Sequence, residues 1–126
     1  MGKFVVKKTP TGIKFDLRAS NFQILATSEV FSSRKACLGG IQSVKKNCGA
    51  PIEDQTLKKT EELKNPKYEV YKDKAGEFRF RLRAPNGENI AAANDGYKTK
   101  AGCIKGIESV KENAPKAEII GQEPAP

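Results

Sequence analysis

Two stretches of the chain alternate strictly between apolar and charged residues. The first is IKFDLRA at 13–19 and the second is FRFRLRA at 78–84. Every second residue in each stretch is apolar, which indicates a strand that buries only one of its faces. Strands of this kind are typical of antiparallel sheets.

Further strand patterns lie on either side of these two. First strands are predicted at KFVVKK (3–8) and KYEVYK (67–72), and third strands at FQILAT (22–27) and ENIAAA (88–93). Short extended segments, APIED at 50–54 and AEII at 117–120, come later in the chain.

The turn between the second and third strands differs between the two places. Pro85-Asn86-Gly87 predicts a tight hairpin, because Asn and Gly accept a positive φ angle. Ser20-Asn21-Phe22 stands at the other place. A phenylalanine takes positive φ only at a cost. We therefore expect that Asn21 alone adopts it there, or that the turn differs.

A helical pattern follows each third strand. Ser33 and Thr99 are predicted N-caps. Apolar residues then recur at helical spacing, which predicts two amphipathic helices with one face in the core. These residues are Cys37, Ile41, Val44 and Cys48 in the first helix, and Cys103, Ile107, Val110 and Ala114 in the second.

The chain contains an internal repeat. GIQSVKKN at 40–47 returns as GIESVKEN at 106–113, and Phe15–Ala19 matches Phe80–Ala84. Each copy has the order β-β-β-α-β. We assign the first repeat to 1–56, a linker or short helix to 57–65, the second repeat to 66–120 and a disordered tail to 121–126.

The repeated octapeptide has the composition of a packing element. Its apolar residues point to the core, and its serines, Ser43 and Ser109, are placed to bond to a carbonyl one turn earlier. Gly40 and Gly106 cost a helix about 1 kcal/mol each against Ala. We expect these glycines to admit a close neighbour, either the sheet or the other helix.

Composition limits the chemistry that the chain can perform. The 126 residues include no histidine, which excludes Ser-His-Asp and Cys-His catalysis and most zinc sites. Cys37, Cys48 and Cys103 have no CxxC spacing and are expected to be small buried apolar residues, with a reactive thiol as the alternative. We predict no catalytic, cofactor-binding or metal-binding residue, and therefore no cofactor.

The net charge of +8 gives one candidate site. Alternation places Arg79, Arg81 and Arg83 on the sheet face away from the core, and Lys14 and Arg18 on the matching face of the first repeat. A basic sheet face can bind a nucleic-acid backbone. The alternative is a solvated face, in which Glu69 and Glu77 are placed to pair with the arginines.

The N-terminal residues MGKFVVKKTPTG have lysines and strand-like alternation rather than an apolar signal sequence. No run of apolar residues approaches the ~18 needed to cross a membrane. We therefore expect a cytoplasmic protein without membrane contact.

FRFRLRAPNGENIA, the segment Tyr97-Lys98-Thr99-Lys100 and GIESVKEN, in this order, resemble the YegP-like family of small proteins, a family with a domain of unknown function. The first repeat departs from the family pattern at Phe22 and Val30, where glycines are expected. The two repeats together cover nearly all of the chain.

This resemblance implies an α+β fold with pseudo-two-fold symmetry. Its two tandem β-β-β-α-β repeats form one mainly antiparallel sheet, the C-terminal strand of each repeat is swapped to the other, and two helices pack on one face. Single-repeat relatives are expected to make the same assembly as dimers. A tandem chain already contains both halves, so we expect a monomer.

No activity is implied by the resemblance. We therefore expect a small non-enzymatic interaction or accessory domain with an unknown protein partner. The alternative is weak binding of nucleic acid or another polyanion through the basic open face of the sheet.

Overall fold

Eight strands and two α-helices make up residues 2–122, the part of the chain that the computed structural model describes. In chain order they are β1 (Lys3–Thr9), β2 (Gly12–Arg18), β3 (Ile24–Thr27), α1 (Arg34–Asn47), β4 (Ile52–Asp54), β5 (Lys67–Lys72), β6 (Phe78–Arg83), β7 (Asn89–Ala92), α2 (Lys100–Asn113) and β8 (Glu118–Gln122). A 3-10 turn at Ala114–Lys116 follows α2. The order β-β-β-α-β therefore occurs twice, and the predicted α+β class is confirmed.

All eight strands belong to one sheet with the order β4-β5-β6-β7-β3-β2-β1-β8. The strand that ends the first repeat, β4, pairs in parallel with β5, the first strand of the second repeat. The strand that ends the second repeat, β8, pairs in parallel with β1. The other neighbours are antiparallel. Each repeat thus contributes its last strand to the other, as the family resemblance implied.

Strand boundaries differ from the predicted ones mainly in the shorter strands. Both third strands begin later than predicted, because residues that precede them belong to the hairpin turns. The last strand, β8, continues to Gln122 and so includes the first two residues of the predicted disordered tail. The remaining tail, 123–126, lies outside the described residues. Residues 55–66 form turns and irregular chain, so the linker contains no helix.

The core lies between one face of the sheet and the two helices. Phe15 and Leu17 on β2, and Phe80 and Leu82 on β6, are fully buried there, as their alternation predicted. Each helix also crosses the boundary between the repeats: α1 packs on β2 and on β7, while α2 packs on β6 and on β3. No helix within residues 2–122 is long and apolar enough to cross a membrane.

Both helix starts have the predicted caps. The Ser33 hydroxyl accepts a hydrogen bond from the Ala36 N–H at 3.1 Å, and the Thr99 hydroxyl accepts one from the Gly102 N–H at 3.0 Å. The expected hydrogen bonds from the Ser43 and Ser109 hydroxyls to carbonyls one turn earlier are not the ones that form. Instead, the Asn47 and Asn113 side-chain amides donate to the carbonyls of Ser43 and Ser109, each at 2.8 Å.

The octapeptide glycines admit an aromatic ring. A Cβ atom added to Gly40 would lie 2.7 Å from the ring of Phe31 and 3.2 Å from the ring of Phe15. Gly106 faces the Tyr97 hydroxyl and the Phe80 ring in the same way. The close neighbour is therefore the aromatic residue before each helix, with the sheet behind it, and not the other helix.

The first hairpin contradicts the expectation for Phe22, which takes a φ of 67°. The reason is that both hairpins have the same bonding: the Phe22 N–H donates to the Ala19 carbonyl as the Gly87 N–H donates to the Ala84 carbonyl, at 2.8 Å in each. This turn requires a left-handed residue at its third position. Phe22 occupies it at a cost of roughly 1–2 kcal/mol, and its side chain is 66% exposed.

Two polar contacts join the repeats beneath the sheet. The Tyr68 hydroxyl on β5 donates to the carbonyl of Cys48 at the end of α1, at 2.7 Å. The Lys100 ammonium at the start of α2 lies 2.8 Å from the Asp54 carboxylate on β4. Each contact crosses from one repeat to the other, so both hold the two repeats together in addition to the exchanged strands.

Adjacent glycines in α1 give a matched stability test. Gly40→Ala should destabilise the protein by about 1–3 kcal/mol, because the added methyl group overlaps Phe31. Gly39→Ala should stabilise it by up to about 1 kcal/mol, because nothing lies within 4 Å of the new Cβ and Ala is the better helix former. Denaturant unfolding of both variants measures the difference, and two shifts of the same sign would contradict this account.

Candidate functional site

The face of the sheet opposite the helices, here called the open face, carries the predicted basic residues. One row of outward positions crosses all eight strands because the pairing registers are continuous. Its middle, on β3 and β7, is uncharged, and its charged residues lie to either side. From β8 to β4 the row reads Ile120, Val5, Asp16, Thr27, Ala92, Arg81, Glu69 and Glu53.

This topology separates the predicted site residues into two clusters. Lys14 and Arg18 lie on β2, while Arg79, Arg81 and Arg83 lie on β6. Two strands, β7 and β3, stand between β6 and β2. At ~4.8 Å per strand spacing, the clusters are about 14 Å apart. The five residues share a face, as predicted, but they form two sites.

In the β6 cluster each arginine is held by a carboxylate. The Nε atoms of Arg81 and Arg83 donate to Glu69 Oε1 at 2.5 and 2.8 Å, and the Arg79 Nε donates to Asp73 at 2.8 Å. The Arg81 guanidinium also lies 4.4 Å from the centre of the Tyr71 ring. Pairing by Glu69 agrees with the solvated-face alternative, but Asp73 takes the place expected for Glu77.

Glu69 is nearly buried beneath these arginines. Burial by itself raises the pKa of its carboxyl, but the hydrogen bonds and charges of Arg81 and Arg83 outweigh burial and hold the pKa below its usual value. Glu69 is thus ionised at neutral pH and neutralises part of the positive charge above it. The β6 cluster is consequently less basic than its sequence indicates.

In the β2 cluster three cations surround one carboxylate. Asp16 is 1% exposed, and the Lys7 ammonium lies 2.6 Å from its Oδ2. The Arg18 and Lys14 side chains approach at 3.6 and 3.9 Å, and the Thr27 hydroxyl donates to Oδ1 at 2.8 Å. Three cations against one anion leave an excess of positive charge at this cluster.

The charge of Asp16 has the same physical origin as that of Glu69. Burial raises its pKa, but the ion pair with Lys7, the hydrogen bond from Thr27 and the charge of Lys14 lower it by more, so the net shift is downward. The carboxylate therefore stays ionised and orients the surrounding cations. Sequence alternation predicted that Asp16 faces outward, but not that it is buried by its neighbours.

A buried ion pair at the β4 edge was not predicted from the sequence. Glu53 Oε1 accepts hydrogen bonds from the Lys67 ammonium and from the Leu63 N–H of the linker, both at 2.7 Å. The Gln55 amide bridges Glu53 and Glu69 at 2.6 and 3.0 Å. Burial raises the pKa of Glu53, but these bonds outweigh it and hold the pKa at about 2.

The three cysteines are buried thiols. Burial raises the pKa of each, and for Cys103 burial and the charge of Asp54 raise it to about 11. A thiol with such a pKa is protonated at neutral pH and is a poor nucleophile. Among residues 2–122, no group of three or more Cys, Asp or Glu side chains is placed to hold a metal ion.

The family model described as "Domain of unknown function (DUF1508)" matches the chain twice, at residues 12–54 and 73–120. The chain belongs to this family. The two matches fall in the two repeats.

Relatives of two lengths are similar to this chain. A UPF0339 protein of Bordetella pertussis is 36% identical over 124 residues, which cover 98% of each chain. A UPF0339 protein of Methanosarcina acetivorans is 65% identical over 54 residues, which cover 43% of this chain and 91% of that protein. The second relative thus has the length of a single repeat.

Two solved structures share the fold. The E. coli protein of unknown function yegP matches with a TM-score of 0.79 and 27% identity, over 99% of this chain and 96% of that one. A UPF0339 protein of Shewanella oneidensis matches with a TM-score of 0.76 and 26% identity, over 95% and 90% of the two chains. The α+β fold with one mainly antiparallel sheet and two helices, expected from the YegP-like resemblance, is therefore confirmed, and the family is one of unknown function.

The buried carboxylates predict how stability depends on pH. The folded pKa of Glu53, about 2, lies below its usual value of 4.5, so its stabilisation is complete above pH 4.5 and is lost as the pH falls toward 2. Glu69 and Asp16 shift in the same direction. Unfolding free energy measured between pH 7 and pH 2 should fall through this window.

Two variants test whether Glu53 causes this loss of unfolding free energy at low pH. Glu53→Gln should be less stable at pH 7, because Lys67 loses its carboxylate, and its stability should depend less on pH below 4.5. Glu61→Gln, which changes an exposed carboxylate of the linker, should follow the wild-type curve. A Glu53→Gln curve parallel to the wild-type curve would contradict the assignment.

Proposed function

We propose that this protein is a non-enzymatic binding domain. The supporting observation is the direction of the pKa shifts among the described residues. Carboxyl pKa values are lowered, and thiol and phenol pKa values are raised, so each of these shifts moves the pKa away from neutral pH. The lowered groups are Asp16, Glu53, Asp54, Glu69 and Asp73, and the raised groups are Cys37, Cys48, Cys103, Tyr68 and Tyr97, together with Arg79.

General acids, general bases and nucleophiles need pKa values near the operating pH. The shifts in this chain do the reverse, since they fix each group in its ordinary charge state. Such charges stabilise a surface and orient a partner, but they do not transfer protons. We also propose that the domain acts in the cytoplasm with a protein as its main partner, and that it is a monomer because one chain already contains both repeats.

Affinity capture tests this proposal. The intact chain, immobilised, should retain a specific protein from a native lysate of its source organism, both with and without nuclease treatment, and the purified partner should then bind in a saturable titration. A basic protein of equal net charge serves as the control. Failure to retain any protein above that control, or turnover in a panel of hydrolase and transferase substrates, would contradict it.

A second candidate function is weak polyanion binding by the β2 cluster. It is supported by the excess of cations over carboxylates around Asp16, where Lys7, Lys14 and Arg18 face one acid. The β6 arginines are poorer candidates, because two carboxylates, Glu69 and Asp73, offset most of their charge. Binding of this kind depends on salt, since phosphate contacts release counterions.

Titration with single-stranded RNA and DNA at several salt concentrations separates the two clusters. Lys14→Gln should weaken binding several-fold and reduce the salt dependence by roughly one phosphate contact. Arg79→Gln, at the corresponding position of the second repeat, should have a smaller effect because its charge is already paired with Asp73. If neither variant changes the affinity, the open face does not bind polyanions.

A further inference from the structure

A groove of about 710 Å³ runs between α1 and the hairpin that joins β6 to β7. We call it the α1–hairpin groove. One wall is α1 from Ala36 to Asn47, the other is the chain from Ala84 to Ile90, and Glu29 and Phe31 also contribute. The groove lies between the helix of the first repeat and the hairpin of the second. Its volume falls within the usual range for ligand sites.

Gly39 lines this groove without an internal reason to be glycine. Nothing lies within 4 Å of a Cβ built at this position, whereas Gly40 beside it is required by Phe31. A glycine inside a helix costs about 1 kcal/mol against Ala. Because Gly39 has no side chain, the groove stays open over this part of α1, next to Ala36 and Ser43. At the corresponding position of α2, 66 residues later, stands the long side chain of Lys105.

Uncharged polar groups line the groove at several points. Asn47 is more than nine-tenths buried; its amide nitrogen donates to the carbonyl and hydroxyl oxygens of Ser43, while its amide oxygen accepts no hydrogen bond from the described residues. That oxygen is therefore the atom of Asn47 that can accept a hydrogen bond from a peptide N–H. The uncharged polar residues of the lining are Gln42, Ser43, Asn47, Asn86 and Asn89.

The groove also borders a strand edge that is largely without a partner. β3 pairs with β7 only through Thr27 and Ala92, so β7 has no ladder partner on that side from Asn89 to Ala91. Asn89 and Ile90 are both part of the groove lining. An incompletely paired edge beside a groove is the setting in which extended peptides add to a sheet.

The charge and length of the groove define the ligand further. Glu29 and Glu88 are exposed on its lining, and Lys46 is the one basic residue among the described residues that line it, so the groove is slightly acidic within a chain of net charge +8. This disfavours an anionic ligand and favours a basic side chain. From Ala36 to Asn47 the helix rises about 16 Å. That length accommodates four to five residues of extended chain at ~3.3 Å each.

We propose that the α1–hairpin groove binds an extended peptide segment of a partner protein, four to five residues long and carrying a basic side chain. The proposal rests on the binding function proposed above and assigns it a site and a partner chemistry. Backbone groups of the peptide meet the carboxamides and the edge of β7, and its basic side chain meets Glu29 or Glu88.

Selection from a random dodecapeptide display library on the intact chain tests the proposal. The enriched peptides should contain Lys or Arg, and a synthetic copy should bind wild type in a fluorescence-polarisation titration. Gly39→Leu should weaken that binding at least tenfold, because the new side chain fills the groove. Gly39→Ala, with only a methyl group, should weaken it less than Gly39→Leu.

Two controls make the result specific. Lys105→Leu places the same side chain at the corresponding position of α2 and should leave the peptide affinity within twofold of wild type. Thermal unfolding should show that Gly39→Leu is folded, since its Cβ meets no neighbour. Glu29→Gln and Glu88→Gln should lower the affinity for peptides that carry a basic residue. They should not change the affinity for copies of those peptides in which the basic residue is replaced by Gln.

Three outcomes would overturn the proposal: no peptide is enriched, the enriched peptides are acidic, or they bind wild type and Gly39→Leu equally. Failure of this site is distinguishable from failure of the binding function. If a protein captured from the lysate binds wild type and Gly39→Leu with the same affinity, the domain is a binding protein that uses another surface.

Discussion

The exchange of the last strands is the constraint on which the rest of this structure depends. Neither repeat has a complete sheet of its own, because β4 pairs with β5 and β8 pairs with β1. A unit of about 55 residues has only a small core to bury, and each repeat here also lacks the strand that the other repeat supplies. The contacts of Tyr68 with Cys48 and of Lys100 with Asp54 follow from this exchange, since each joins an element of one repeat to the end of the other.

The repeated octapeptide supports the same arrangement from the helix side. Its glycines let the rings of Phe31 and Tyr97 pass against the helices and stack on Phe15 and Phe80. The near-identity of the two phrases thus reflects two equal packing positions. Gly39 is the exception: it lies in the helix beside Gly40, meets no ring, and has Lys105 rather than a glycine as its counterpart in α2.

The open face shows why the count of charges along a strand is a poor guide to the charge of a surface. Three arginines alternate along β6, but Glu69 on the neighbouring strand and Asp73 in the adjoining turn offset two of the three charges. The less conspicuous β2 cluster, with Asp16 among three cations, retains more positive charge. Strand pairing, which joins residues far apart in the chain, decides this distribution.

The sequence by itself determined the element order, the inward and outward faces of the strands, the helix caps at Ser33 and Thr99 and the roles of the core residues, because these depend on local periodicity and on hydrogen bonds within a few residues. Only the tertiary structure decided that Phe22 takes a positive φ, that Glu53 and Lys67 form a buried pair, and that the five basic residues fall into two clusters. Those features depend on which strands pair with each other and on the turn geometry that this pairing imposes. No local pattern in the sequence identifies the pairing partners. The groove beside Gly39 belongs to the same group, since one of its walls comes from the first repeat and the other from the second.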